Sequence, residues 1–309
     1  MPSSATRPLL LIHLCVFLWG FTAILGRLIS LPASQLVWWR MLIVSALLLA
    51  LPRVRRELRR LPPRLAAACA GIGVLVALHW VTFYASIKLA NASVGATTIA
   101  LAPVFLALIE PLLARSRFDF RDLAIGILVV PGVVLVVGGI PHGMRAGFAV
   151  GIVSAVFVAI FGALNKRIVN RAGATTMTCV ELGAGAAFLT LVLPWLPHPG
   201  PAFVLPGPRD AWLLALLAIG CTLLPFTLAL VALRQLSAFT AQLAVNLEPV
   251  YAIVLAAVLL GEQRRLDAEF YLGVAIIIAA VFAHPLLMRR RQRTPQAEML
   301  GTAESKIID

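Results

Sequence analysis

Ten apolar runs, each near the length that crosses a bilayer, follow one another at 9–30, 33–51, 65–87, 94–113, 123–139, 147–169, 174–196, 211–233, 240–260 and 268–287. A membrane-spanning helix needs about 20 apolar residues, because every backbone N–H and C=O must be paired where no water reaches. The expected fold class is therefore all-α integral membrane with ten transmembrane helices. A chain of 309 residues then has no room for a catalytic domain outside the bilayer. The separators are rich in proline and arginine. LPRVRRELRRLPPR (51–64) and LPHPGPAFVLPGPRD (196–210) are expected to be non-helical, since proline lacks the N–H that a helix interior needs.

Charge supplies the orientation. Lys plus Arg number 26 against 13 Asp plus Glu, a net charge of +13, yet charged residues make up only 13% of the chain, where a soluble domain has roughly 25%. In a soluble protein this excess would suggest nucleic acid; in a membrane protein it marks cytoplasmic loops. An even number of crossings places both termini on one side. With that side inside, six basic residues remain outside (Arg27, Lys88, Arg145, Arg209, Arg264, Arg265) and Arg40 falls within the second run, leaving 19 of 26 in the cytoplasm. The expected setting is a bacterial inner membrane with N- and C-termini cytoplasmic and no nucleic-acid partner. Cys15, Cys69, Cys179 and Cys221 lie one each in separate runs without CxxC spacing, so neither metal nor redox cofactor is expected.

An internal repeat appears at an offset of 146. LANASVGATTIALAPVFLALIEPLL (89–113) then overlies QLSAFTAQLAVNLEPVYAIVLAAVLL (235–260), with Lys88 on Arg234, Leu101 on Leu247, Pro103 on Pro249 and Val104 on Val250. Five crossings per half is an odd number, so the halves enter the membrane in opposite directions. Inverted repeats allow two similar halves to expose one midplane site alternately to each side. The expected units are residues 1–140, residues 141–288 and a basic, disordered cytoplasmic tail at 289–309.

LWGFTAILGRL (18–28), Arg40, FYASIKLANAS (83–93), Pro103 and NLEPVYAIVLAAVLLGE (246–262) together resemble the EamA family of the drug/metabolite transporter superfamily, over the chain up to about Leu287. The resemblance implies ten helices in two inverted five-helix repeats. It also implies export of amino acids, other small metabolites or drugs, the aromatic amino acid exporter type being the finer match. One departure is visible: Gly261-Glu262, closing the ninth run, is matched by Arg115-Ser116 at the end of the fourth.

Counting from run ends at about 1.5 Å per residue places Trp19, His79, Trp80, Asn246, Glu248 and Pro249 near the midplane. In HWVTFYASIK (79–88), Trp80, Tyr84 and Lys88 recur at i, i+4 and i+8 beside a stripe of His79 and Phe83. An aromatic wall with few polar tips suits a flat or amphipathic solute. The candidate substrate-binding set is Trp19, His79, Trp80, Phe83, Tyr84, Gln242, Asn246 and Tyr251. Packing between helices is the alternative for the deep aromatics, and the interfacial belt for Trp38, Trp39 and Tyr84. His79 is a candidate for proton exchange or for a structural hydrogen bond. Glu248, costing about 2.5–3.5 kcal/mol at a helix centre, calls for a coupling role or an ion pair with Arg40, the deepest cation. Glu181 is a further buried charge, and Pro103 and Pro249 are candidate hinges that free backbone carbonyls. Gln242 and Asn246 share a face one turn before Pro249. GFAVG (147–151) has the GxxxG spacing of close helix packing.

No GxxxxGK[ST], HExxH or GxSxG occurs, the nearest to the last being NASVG around Ser93. The expected activity is secondary export of small amphipathic metabolites, amino acids first, by alternating access. Alternatives are an exporter of cationic drugs, a nucleotide-sugar-like carrier, or an intramembrane enzyme. One deep arginine is a poor match for two phosphates.

Overall fold

The computed structural model describes residues 6–114, 120–195, 201–236, 244–245 and 247–292, whose regular structure is entirely helical. The first half holds α1 (Thr6–Leu28), α2 (Ala33–Ala50), α3 (Pro52–Arg59), α4 (Pro63–Leu89), α5 (Ala92–Ile99), α6 (Ala102–Ala114) and α7 (Phe120–Gly138). The second holds α8 (Arg145–Ile168), α9 (Ala174–Val192), α10 (Pro208–Ala218), α11 (Leu224–Leu233), α12 (Glu248–Leu255) and α13 (Ala268–Gln292). Among the described residues, seven stretches are long and apolar enough to cross a membrane, and three apolar helices are shorter, at Val129–Gly138, Glu248–Leu260 and Ala268–Ala280. The chain is a multi-pass membrane protein.

One separator departs from expectation. Residues 52–59 of the proline- and arginine-rich segment 51–64 form α3. Pro52 stands in its first turn, where the missing N–H has no helical partner to lose. Arg53 and Glu57 pair at 2.9 Å across one turn, and Val54 is buried. Proline likewise opens α4, α10, α11 and α12, so it sets helix starts as often as it ends helices.

The packing respects the repeat. α4 lies on α8 as α1 lies on α11, and α2 packs on α9, α5 on α12 and α7 on α13. Exchanging the halves maps each of these pairings onto another or onto itself. The side chains at the helix ends agree. Lys88, ending α4, donates to the carbonyl of Ile29 beyond α1; its repeat partner Arg234, following α11, donates to the carbonyl of Ala172 beyond α8. Ser30 donates its hydroxyl to Asp210 at 2.5 Å, and Thr176, 146 positions later, donates to Glu57 at 2.5 Å.

Lipid tails are as apolar as the helices, so close association depends on small residues that let backbones approach. A Cβ at Gly147 would lie 2.7 Å from the Cβ of Ala90, and one at Gly151 would lie 2.8 Å from Ser86 Oγ. The GxxxG pair thus seats α8 against α4 and its junction with α5. One buried cluster joins α1, α2, α4, α9, α10 and α11. A second joins α5, α7, α8 and α13.

Candidate functional site

A cavity of about 150 Å³ lies between the halves. Its wall draws on α1 (Trp19, Thr22), α2 (Arg40), α4 (His79, Trp80, Phe83), α8 (Phe161, Asn165), α11 (Phe226), Val245 and the first residue of α12, Glu248. Among the described residues, α7, α9 and α13 contribute nothing to it. A void of about this size lined by apolar side chains accommodates a benzene-sized group.

The polar centre of the wall is Arg40, only 2% exposed. Its guanidinium carbon lies 3.7 Å from the Trp80 ring centroid. Nε donates to Thr222 Oγ1 at 2.5 Å, one terminal nitrogen to Tyr84 Oη at 2.8 Å, and the other to the Cys221 carbonyl at 3.4 Å. One of these acceptors, the Cys221 carbonyl, is open because the helical stretch Pro208–Leu233 is irregular. Pro225 has no N–H for the carbonyl four residues back, at Cys221, and the chain passes through a π turn at Ile219–Leu223. Thr222 Oγ1 donates to the Leu217 carbonyl at 2.7 Å, which leaves its lone pairs to Arg40.

Glu248 lines the same cavity. It is the first residue of α12, where the helix dipole favours a negative charge. Among the described residues, neither Glu248 nor Arg40 has an ion-pair partner within 4.0 Å. Glu248 and Arg40 thus share one cavity without a direct contact.

His79 Nδ1 lies 2.8 Å from Ser154 Oγ and 3.2 Å from the Ser154 carbonyl. Since Ser154 Oγ donates to the His79 carbonyl at 2.9 Å, the proton belongs on Nδ1, and Nε2 is left as an acceptor. The ring is flanked by Phe83 and Phe161.

The prolines act in matched places. Pro103 is the second residue of α6 and follows a break at Ala100-Leu101, while Pro249 is the second residue of α12. Each withholds an N–H from the carbonyl four residues back, at Ile99 and Val245, and both of these residues line the cavity.

The cavity extends from the midplane toward the end where α1 starts and α8 and α11 finish, with Ile12, Asn165 and Leu233 along it. The other end is fastened. Glu262 accepts from Ala92 N–H at 3.0 Å, Ser93 N–H at 2.9 Å and Ser93 Oγ at 2.7 Å. This carboxylate caps α5, and Gly261 reaches the left-handed turn that places it, at φ 66°. Ser93, the residue nearest to a GxSxG nucleophile, is thereby occupied as a capping partner. Tyr84 fills the space beside Gly26, and Asp210 accepts from the backbone and hydroxyl of Ser30.

Trp19, Arg40, His79, Trp80, Phe83 and Glu248 thus meet in one cavity. Tyr84 is fully buried behind Arg40, and Trp38 and Trp39 donate to Thr190 and to the Val204 carbonyl. Tyr251 turns outward, 36% exposed, with its ring edge-on to Phe17 at 5.7 Å. Glu181 is fully buried outside the cavity wall and joins it through Asn165. Gln242 and Asn246 lie outside the described residues. Phe161, Asn165 and Phe226 are additions from the structure. Two are apolar residues in apolar runs, and nothing in the sequence distinguishes a cavity face from a lipid face there.

A multi-pass membrane protein with two helical repeats around a central cavity has the build of a secondary transporter. Residues 6–138 and 145–286 match the EamA-like transporter family, and the chain belongs to that family, as a membrane transporter of the drug/metabolite type. A comparison with curated proteins finds no match. One protein of known crystal structure, 19% identical, superposes with a TM-score of 0.65 over 92% of this chain and 98% of its own, which supports the fold.

Proposed function

We propose that the protein exports small amphipathic metabolites, amino acids first and aromatic ones foremost, by alternating access across a bacterial inner membrane. In this reading the seven long and three short apolar helices make ten crossings in two inverted repeats, residues 1–140 and 141–288, with both termini in the cytoplasm. The observation that carries it is a guanidinium and a carboxyl group, Arg40 and Glu248, on one aromatic cavity with no ion pair to either among the described residues. A zwitterion satisfies both: its carboxylate meets the guanidinium, its ammonium meets Glu248, and its side chain lies against Trp19, Trp80 and Phe226. The prolines at 103 and 249 act as paired hinges. The reading is transport of a chemically unchanged solute.

A cationic solute is the second reading, favoured by Glu248 beside Trp19 and Trp80; Arg40 opposes it. Thermal unfolding of the detergent-solubilised protein with zwitterionic, cationic and nucleotide solutes tests the choice, since a solute that binds only the folded state raises the midpoint. Protection by aromatic amino acids, but not by their decarboxylated amines, is the expected result. Protection by the amines alone favours the second reading.

A further inference from the structure

Glu181 carries a carboxyl group that the transport site does not use. It is 0% exposed, on the face of α9 that meets α4 so closely that a Cβ at Gly73 would overlap the Glu181 backbone. Among the described residues its one hydrogen bond is from Asn165 Nδ2, at 3.5 Å, and its Oε1 has no partner. Two more buried polar atoms there are without a described partner, Asn165 Oδ1 and, one turn earlier on α9, the Thr178 hydroxyl. A carboxylate can take about four hydrogen bonds, and among the described residues no cation lies within 4.0 Å. The surroundings are also poor in charge. α4 presents the thiol of Cys69, and Arg40 of α2 is engaged by Trp80, Tyr84 and Thr222. Lys166 of α8 is turned to the carbonyls of Leu233 and Leu236, Glu57 of α3 meets Thr176 near the start of α9, and α11 has no titratable residue. Such a pocket holds no compensating charge, and one long amide hydrogen bond is what faces the fully buried carboxyl. A neutral carboxylic acid suits it, whereas a carboxylate would bury a full charge against that single contact. Asn165 is the link outward, since it both touches Glu181 and lines the cavity.

We propose that Glu181 is a proton-binding site that exchanges its proton with the central cavity through Asn165. One proton delivered by hydronium in the cavity joins the carboxylate, cancels its single negative charge and leaves a water molecule; release returns the proton to cavity water as hydronium by the same route. The test is infrared spectroscopy of the protein in lipid vesicles, following the protonated-carboxyl stretch at neutral pH and its exchange in D₂O. The expected result is a band that weakens in Glu181→Gln, persists in Asn165→Leu, and exchanges several-fold more slowly in Asn165→Leu than in the wild type. A spectrum unchanged by Glu181→Gln means the group is ionised and overturns the proposal. So does exchange in Asn165→Leu as fast as in the wild type, a result that does not need the glutamine variant to fold. Neither readout needs a transported solute, so failure of the export reading and failure of this site are separable.

Discussion

The Arg40 guanidinium carbon lies 3.7 Å from the centre of the Trp80 ring, so a permanent charge is held flat on the wall of the cavity. The stack and three hydrogen bonds leave the cation little freedom. In the proposed export reading they fix where a solute carboxylate sits before it arrives, which reduces the ordering cost of binding.

Arg40→Lys keeps the charge but loses the planar stack and the fork of donors. A cation–π contact of about 1–2 kcal/mol corresponds to roughly a tenfold change in affinity. Solute protection in thermal unfolding is expected to require about tenfold more ligand; an unchanged concentration dependence would show that Arg40 is only a packing element.

Thr222→Val removes the hydroxyl that accepts from Arg40 Nε and donates to the Leu217 carbonyl. A lost hydrogen bond to a charged group is worth about 1.5–3 kcal/mol. The unfolding midpoint is expected to fall, and Thr222→Ser to restore most of it. Equal loss in both variants would point to the methyl group instead.

Glu262→Ala strands two backbone N–H groups and one hydroxyl at the start of α5, whereas Ser93→Ala removes only the hydroxyl. Buried unsatisfied donors cost about 1–3 kcal/mol each, so the first variant is expected to lose clearly more stability. Proteolysis at the α4–α5 junction of reconstituted protein reads the same difference locally.

Glu57 lies outside the crossings, on α3. The hydrogen bond from Thr176, and then that from Arg53, hold its carboxyl below the usual value of 4.5. A folded-state value held low means the contribution is fully present above the unfolded-state value and is lost as pH falls through the folded one. The stability gap between wild type and Glu57→Gln is therefore expected at neutral pH and should close under acid, in unfolding midpoints measured across a pH series. A gap that ignores pH would assign the effect to shape alone.

The sequence is informative where the bilayer imposes a rule. Length and apolarity mark the crossings because an unpaired backbone group in lipid is prohibitive, and Lys88 and Arg234 mark the repeat because each caps the end of an equivalent helix. It is less informative about direction. Trp80 and Tyr251 are both aromatic residues in apolar runs, yet one lines the cavity and the other meets lipid-facing Phe17. The π turn before Pro225, which builds the Arg40 site, is visible only as a proline. Residues 52–59 look like a loop because proline and arginine dominate, until Pro52 is placed at a first helical turn.

Saturable flux through the cavity is the central claim. Counterflow of a labelled aromatic amino acid into proteoliposomes, with wild type beside Arg40→Lys and Glu248→Gln, tests it most directly. The predicted result is saturable counterflow in the wild type that falls about tenfold or more in each variant while the protein stays folded. Absence of saturable flux for any amino acid, or flux that both variants leave unchanged, would contradict it.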